Sequence, residues 1–134
     1  LNGTLTVRGV LIKGVESRLK LLKKRGFKIV LFTGDTRGDA KALAKKLGIE
    51  LMITSTGKDK KLTAQKLNPQ TCVTIGNGLI DLLLFKVVKL SIVTVQAEGA
   101  HIKTVMEADI LVTSVIDALD LLLDEKSLIA TLRP

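Results

Sequence analysis

The amino-acid sequence predicts an α/β fold of three layers, in which helices cover both faces of a mostly parallel β-sheet. Short runs rich in β-forming residues alternate with amphipathic helical segments along the whole chain, as expected for repeated strand–helix–strand units. Some strand-like runs, such as residues 29–32, are continuously apolar, which is typical of strands buried on both faces. The 134 residues contain no repeat, linker or low-complexity tract, so one domain over residues 1–134 is expected.

The first elements are a small hairpin and a helix. Residues 5–7 and 10–12 flank Arg8-Gly9, a pair of turn residues that predicts a β-hairpin. Val15, Leu19 and Leu22 then recur at helical spacing, which predicts a helix over residues 15–25 that ends at Gly26.

A second helix is predicted over residues 36–47, directly after a strand at 28–33. Its apolar face consists of Ala40, Leu43, Ala44 and Leu47. Thr36 with Asp39 three residues later resembles a capping box, with Asp in place of Glu, and Gly48 is a natural stop.

The remaining elements continue the alternation. Further strands are predicted at residues 50–54, 71–75, 90–95 and 110–112. Further helices are predicted at residues 58–67, 79–87, 98–107, 115–123 and 125–132. This order implies a Rossmann-like sheet, in which ligands bind beyond the carboxyl ends of the strands. The strand-to-helix turns are therefore the places to look for chemistry.

Composition narrows the classes of partner. Apolar residues make up 46% of the chain, yet no run of about 18 apolar residues lacks a charge, so no membrane span or signal peptide is expected. A single cysteine fits a cytoplasmic protein. The net charge of +8 is compatible with a phosphate-rich partner, but the lysines are dispersed and aromatic residues make up only 2%. We therefore expect solvated helix faces and no nucleic-acid binding.

Two turns carry residues suited to phosphate and metal. In the first, Thr33-Gly34 stands where a strand ends and a helix begins, and backbone amides with a hydroxyl there favour an anion. In the second, Gly76-Asn77-Gly78 allows a tight turn, and Asn77 with Asp81 offers hard oxygens suited to Mg²⁺. Taken singly, the first turn is better explained as an ordinary helix cap and the second as an ordinary tight turn.

Four segments together resemble the motifs of the haloacid dehalogenase (HAD) superfamily, in order and in spacing. The segment 2–6, Asn-Gly-Thr-Leu-Thr, resembles the end of the first motif, and Thr33-Gly34-Asp35 is similar to the second motif of P-type ATPases. Asp59-Lys60 resembles the third motif, and the segment 76–81 resembles the fourth. The group that the chain most resembles is the soluble, capless, P-type-ATPase-like phosphatases.

The resemblance implies a Mg²⁺-dependent phosphohydrolase that acts on a phosphorylated substrate through an aspartyl-phosphate. The nucleophilic Asp of the first motif would precede Leu1, and the strand that carries it would precede Leu1 too. Asn2 falls at the family's second acidic position. There the backbone carbonyl binds Mg²⁺, and the side chain of an Asp exchanges a proton. Thr33 and Gly34 would hold the phosphoryl oxygens, together with Lys60.

The resemblance leaves two assignments incomplete. Lys58 and Lys61 flank Lys60, so the motif lysine is open among the three. The metal ligands would be Asn2, Asn77 and Asp81.

Departures from the motifs support an alternative. Asn2 and Asn77 stand where the family has acids, and Ile80 stands where it has Asn. These changes predict weaker Mg²⁺ binding or an impaired module that binds a protein partner or an anion. His101, the only histidine, is expected to lie away from the motifs in an ordinary packing role.

The short hairpin and the short segment 54–58 leave no room for a cap domain. An open site implies a large substrate or a second subunit as a lid. The apolar segment 121–132 could then form a homo-oligomer interface, although core packing is the favoured explanation.

Overall fold

The computed structural model describes all residues from 1 to 134 and contains the predicted alternation of strands and helices. The strands are β1 Thr6–Val7, β2 Val10–Leu11, β3 Val30–Thr33, β4 Glu50–Ile53, β5 Val73–Gly76, β6 Leu90–Thr94 and β7 Ile110–Val112. The helices are α1 Val15–Lys24, α2 Ala40–Leu47, α3 Gly57–Gln65, α4 Leu82–Phe85, α5 Ile102–Glu107, α6 Val115–Leu123 and α7 Glu125–Leu132. Two short 3-10 helices, Pro69–Thr71 and Leu79–Asp81, precede β5 and α4 respectively.

The strands from β3 onward pair in parallel, as predicted. β3 pairs with β4, with Val30 opposite Glu50 and Thr33 opposite Ile53. β5, β6 and β7 form a separate three-stranded sheet in that order. The antiparallel hairpin of β1 and β2 confirms the predicted turn at Arg8-Gly9. The chain thus has an α/β fold with mostly parallel strands and no cap domain.

A cleft separates the two parallel sheets. β3 and β5 are not hydrogen-bonded to each other, and a cavity of about 430 Å³ lies between their facing edges. The cavity is mostly apolar, with Phe32 and Gly76 on its walls and Leu119 of α6 beneath. Leu1 and the side chain of Lys60 also line it. Both inner strand edges therefore lack a neighbour on the side that faces the cleft.

The apolar core joins the outer helices to the sheets. Its larger cluster consists of Val15, Leu19, Leu22, Leu47, Val115 and Leu119, which packs α1 against α6. A second cluster consists of Leu90, Ile92, Ile110 and Ala118, which packs α6 against the three-stranded sheet. The helical apolar face predicted at Val15, Leu19 and Leu22 is therefore confirmed as core.

The start of α2 differs from the prediction. The helix begins at Ala40 and not at residue 36, because Asp35 has a φ of 54° and its Oδ1 accepts a hydrogen bond from Ala40 N at 2.9 Å. The capping box predicted at Thr36 and Asp39 is wrong, since Asp39 makes no side-chain cap hydrogen bond. Its predicted stop at Gly48 is confirmed, because Gly48 adopts a left-handed conformation at the helix end.

Two other predicted helices are shorter than expected. The segment 79–87 divides into the 3-10 helix Leu79–Asp81 and α4. The segment 98–107 is helical only from Ile102, because residues 95–101 form a loop with its own tertiary contacts. None of the helices is long and apolar enough to cross a membrane.

Candidate active site

The candidate site lies where the carboxyl ends of β3 and β5 face each other across the cleft. Thr33 ends β3, and Gly76 ends β5. The segment 2–4 lies beside Asn77, just after β5, because Thr4 Oγ1 donates a hydrogen bond to Asn77 Oδ1 at 3.2 Å. The tertiary structure therefore brings together residues that are 73 positions apart in the chain.

A buried ion pair joins α3 to the 3-10 helix that precedes α4. Lys60 Nζ lies 2.6 Å from Asp81 Oδ1, and the two side chains are 6% and 11% exposed. Lys58 is exposed and Lys61 is half-buried, and neither makes an ion pair. Among the three neighbouring lysines, Lys60 is therefore the one whose ammonium group lies in the site.

Lys60 reaches the site because α3 starts with a well-formed cap. Thr56 Oγ1 accepts from Asp59 N at 3.1 Å, and Asp59 Oδ2 accepts from Thr56 N at 3.0 Å. This reciprocal capping box fixes the first turn of α3, and Lys60 follows directly after it. The carboxylate of Asp59 thus serves the helix cap, while Lys60 faces the cavity.

The carboxylate of Asp81 also shapes the turn after β5. Its Oδ2 accepts hydrogen bonds from Asn77 N at 3.1 Å and from Gly78 N at 3.0 Å. A Cβ atom at Gly76 would lie 2.5 Å from this oxygen, so the turn requires glycine there. Asp81 therefore holds the turn with one oxygen and Lys60 with the other.

Gly3 occupies a position that accepts no side chain. Its φ is 71°, and a Cβ atom there would lie 2.2 Å from Asn77 Nδ2. The close approach lets the Asn77 side chain reach across to Thr4 Oγ1 and to Gly99 O, to which its Nδ2 donates at 3.1 Å. Asn77 is thereby hydrogen-bonded to Thr4 of the amino-terminal segment, whereas the Asn2 side chain is hydrogen-bonded to Thr6 and not to Asn77.

Thr33 and Gly34 lie on the other wall of the cleft. Thr33 is buried, and its Oγ1 accepts a hydrogen bond from Asp35 N at 3.0 Å, so its hydroxyl proton is available to a ligand. Gly34 is exposed at the mouth. No hydrogen bond joins Thr33 to Lys60 or to Asp81.

Sequence reasoning missed the loop of residues 95–101. Gln96 Nε2 donates to Gly3 O and Thr4 O at 2.9 and 3.0 Å, and Glu98 Oε2 accepts from Gly3 N at 2.9 Å. The expectation that His101 lies away from the motifs is wrong, because His101 N donates to Asn77 O at 2.8 Å. Only the loop's position, after the carboxyl end of a parallel strand, pointed to this neighbourhood.

The amino group of Leu1 faces the Lys60–Asp81 pair. Burial and, to a smaller extent, the nearby cation of Lys60 together lower its pKa to about 6, against the opposing charges of Asp81 and Glu98. The interior end of the cleft is thus poorly solvated and carries charges of both signs. Groups placed there feel electrostatic interactions more strongly than groups in water do.

The donor atoms near the turn fit Mg²⁺ in kind, although they are few. The backbone carbonyl of Asn2 accepts no hydrogen bond from the chain, so its oxygen is available. Asn77 Oδ1 and Asp81 Oδ1 each receive a single hydrogen bond. No group of three or more His, Cys, Asp or Glu side chains could hold a metal ion. Mg²⁺ commonly takes one or two carboxylates and completes its shell with water or phosphate oxygens.

A family model described as haloacid dehalogenase-like hydrolase matches residues 2–88. These residues cover both walls of the cleft, α3 and the Asn77–Asp81 turn. The match therefore includes all six residues that the sequence predicted for the site.

The chain also resembles a curated protein from an archaeon. It is 47% identical over 70 residues to Uncharacterized protein MJ0073 of Methanocaldococcus jannaschii, which covers 52% of this chain and 75% of that protein. The name of this relative assigns no activity.

Two solved structures illustrate the fold. A zinc-transporting PIB-type ATPase in the E2.Pi state is 26% identical with a TM-score of 0.71, over 83% of this chain and 18% of that chain. The 3-deoxy-D-manno-octulosonate 8-phosphate phosphatase of Moraxella catarrhalis, solved with magnesium ion, phosphate ion and KDO, is 23% identical with a TM-score of 0.67. That match covers 88% of this chain and 75% of the phosphatase. The chain thus spans less than a fifth of the ATPase.

Proposed function

The chain belongs to the haloacid dehalogenase-like hydrolase family, and we propose that it is the main part of a Mg²⁺-dependent phosphohydrolase that works through an aspartyl-phosphate. The observation that carries the proposal is the buried pair of Lys60 and Asp81, which lies on the cleft beside Leu1. A buried ammonium and carboxylate in a cleft are typical of a site that handles charged intermediates.

We further propose that residues 1–134 form one domain that is completed by a strand in the cleft. The facing edges of β3 and β5 lack a hydrogen-bonded neighbour, and the cavity between them is mostly apolar. Leu1 lies at this cavity. A strand that ends directly before Leu1 would pair with both edges, and an Asp as its last residue would stand beside Lys60.

The proposed reaction has two chemical steps. A carboxylate oxygen of that Asp attacks the phosphorus of a phosphate ester, the ester P–O bond breaks, and the leaving alkoxide takes a proton from solvent water in the open cleft. Water then attacks the acyl phosphate and releases inorganic phosphate, which restores the carboxylate. Lys60 offsets negative charge on the Asp and on the phosphoryl group, and Asp81 holds the ammonium in place.

On the opposite wall, Thr33 and Gly34 would hold the phosphoryl oxygens. The Thr33 hydroxyl has a proton to donate because its oxygen already accepts from Asp35 N. Asn2, Asn77 and Asp81 would hold Mg²⁺ with oxygen atoms. When bound, Mg²⁺ supplies positive charge that neutralises the phosphoryl oxygens.

Asn2 sets the balance between the two chemical steps. An Asn side chain cannot exchange a proton at neutral pH, so it cannot activate the water that hydrolyses the acyl phosphate. The phosphorylated form would therefore persist longer than in an enzyme with an acid at this position. The open cleft, which lacks a cap, would suit a large phosphorylated substrate or a lid from a second subunit.

The test uses the chain preceded by an apolar strand that ends in Asp. We expect Mg²⁺-dependent hydrolysis of p-nitrophenyl phosphate and a bound beryllium fluoride signal in ¹⁹F NMR spectra. The matched control ends the same strand in Asn, which keeps the shape but removes the nucleophile. Equal hydrolysis by both chains, or none by either together with no fluoride binding, would contradict the proposal.

The second candidate is a catalytically impaired module that binds an anion or a protein partner. The observation that favours it is the scarcity of acids at the turn, with Asn2 and Asn77 in the acidic positions. Binding of inorganic phosphate by the strand-completed chain, without any turnover of the aryl phosphate, would favour this candidate over the hydrolase.

A further inference from the structure

Glu98 connects two parts of the amino-terminal segment. Its Oε2 accepts hydrogen bonds from Gly3 N at 2.9 Å and from Arg8 N at 3.0 Å. Gly3 belongs to the turn beside Asn77, and Arg8 belongs to the turn of the β1–β2 hairpin. One carboxylate therefore holds two turns, through hydrogen bonds that its negative charge strengthens.

The bond to Gly3 N fixes the direction of the Asn2 carbonyl. The Asn2–Gly3 peptide is planar and trans, so its C=O and its N–H point in opposite directions. Gly3 N also donates to Thr6 O at 2.8 Å. With the N–H held toward Glu98 and Thr6, the Asn2 oxygen must point the opposite way, and it accepts no hydrogen bond from the chain.

The next peptide plane is held as firmly by the same loop and strand. Gly3 O accepts from Thr94 Oγ1 at 3.2 Å and from Gln96 Nε2 at 2.9 Å. Gln96 Oε1 in turn accepts from Val115 N at 2.8 Å, which anchors the clamp to the start of α6. Residues 94–98, together with Thr6 O, thus hold both peptide planes at Gly3, so the turn cannot rotate freely.

We propose that Glu98 is a positioning residue that aims the Asn2 carbonyl oxygen at the divalent cation. The inference rests on the proposed function, in which that oxygen is a metal ligand. In this inference Glu98 is not itself a ligand, and its Oε2 accepts hydrogen bonds from two backbone N–H groups. It acts through the Asn2–Gly3 peptide, as groups behind metal ligands generally do.

Two variants separate positioning from simple charge. Glu98→Gln keeps an acceptor oxygen for Gly3 N but removes the negative charge, whereas Glu98→Ala removes both. Glu107→Ala is the matched control, because Glu107 is an exposed acid on α5 that makes no ion pair. If Glu98 acted only by attracting the cation, the Gln and Ala variants would be equally weakened.

The experiment measures two quantities on the strand-completed chain. Hydrogen exchange of the Gly3 amide, followed by NMR without metal, should become at least about tenfold faster in Glu98→Ala. Mn²⁺ affinity, measured by electron paramagnetic resonance, should fall roughly tenfold to 100-fold in the same variant. Both quantities should stay within about threefold of the original in Glu98→Gln and in Glu107→Ala.

Each outcome bears on the inference. Unchanged Gly3 exchange in Glu98→Ala would overturn it, and so would equal loss of Mn²⁺ affinity in the Gln and Ala variants. If the strand-completed chain without a substitution binds no Mn²⁺, the metal site of the proposed function fails. The Gly3 exchange rates then still decide whether Glu98 holds this peptide. Faster exchange with unchanged Mn²⁺ affinity would show that Glu98 is only a structural clamp, which also overturns the inference.

Discussion

Lys60 Nζ and Asp81 Oδ1 lie 2.6 Å apart, and their side chains are 6% and 11% exposed. Removal of one partner from such a buried pair costs much stability, because the remaining charge is then buried without a partner. The same carboxylate holds the Asn77–Gly78 turn through its second oxygen. The pair therefore couples the position of α3 to the shape of the turn that follows β5.

Removal of either partner should destabilise the chain strongly. We expect Lys60→Met to lower the free energy of unfolding by about 3 kcal/mol, because Asp81 keeps its charge without the ammonium. Asp81→Asn should cost at least as much, since two backbone N–H groups also lose a charged acceptor. Urea denaturation measures both values.

Lys58→Met is the control, because Lys58 lies on the same helix but is exposed and unpaired. Its effect should stay within about 0.5 kcal/mol. The double variant of Lys60→Met and Asp81→Asn should lose less stability than the sum of the losses in the two single variants. Each single variant leaves one unpaired buried charge, whereas the double variant leaves none. Strict additivity would contradict a direct interaction.

Replacement of Gly3 by alanine should lower the free energy of unfolding more than the same replacement at another glycine with a similar φ. Gly3 and Gly38 have φ values of 71° and 73°, so alanine is strained at both, by about 1–2 kcal/mol. At Gly38 the new Cβ meets nothing within 4 Å, whereas at Gly3 it would lie 2.2 Å from Asn77 Nδ2. Gly3→Ala should therefore cost a further ~2 kcal/mol in denaturant unfolding. Equal costs would show that the Asn77 side chain moves away freely.

Replacement by valine should change the stability of the chain differently at two buried threonines. Thr33 Oγ1 accepts from Asp35 N, so Thr33→Val should lower the free energy of unfolding by about 1 kcal/mol. Thr54 is 2% exposed, and its Oγ1 has no hydrogen-bond partner. Thr54→Val should therefore be neutral or stabilising, because a buried unpaired hydroxyl is replaced by a methyl group of similar shape. Thermal unfolding of the two variants compares them directly, and a large loss at Thr54 would reveal a hidden partner.

The amino group of Leu1 should make the stability of the 134-residue chain depend on pH. Burial lowers its pKa in the folded chain from 8.0 to about 6, so the unfolded chain binds a proton first as pH falls. Stability should therefore fall between pH 8 and pH 6, by at most about 3 kcal/mol, and change no further below pH 6 on this account. An N-acetylated chain is the control, because it keeps His101 and lacks the amine. The same pH dependence in both chains would contradict the burial of this group.

The sequence by itself determined the order and type of nearly all elements. Apolar spacing at Val15, Leu19 and Leu22 and the stop at Gly48 were sufficient, because helical periodicity and left-handed glycines are local properties. The candidate site residues were predicted from the resemblance to four family motifs, and the general rule that parallel strands collect their carboxyl ends at one edge pointed to the same turns. The sequence predicts a capping box at Thr36 with Asp39, whereas the structure has one at Thr56 with Asp59.

The tertiary structure decided which groups meet. Lys58, Lys60 and Lys61 are equivalent in the sequence, and only the packing of α3 against the turn at Asp81 buries Lys60. The contact of Glu98 with Gly3 spans 95 residues and has no sequence signature. A carboxylate can accept a hydrogen bond from the backbone N–H of almost any residue, so the residue types do not reveal such a contact. Such a contact exists only once the strands have set two distant loops side by side.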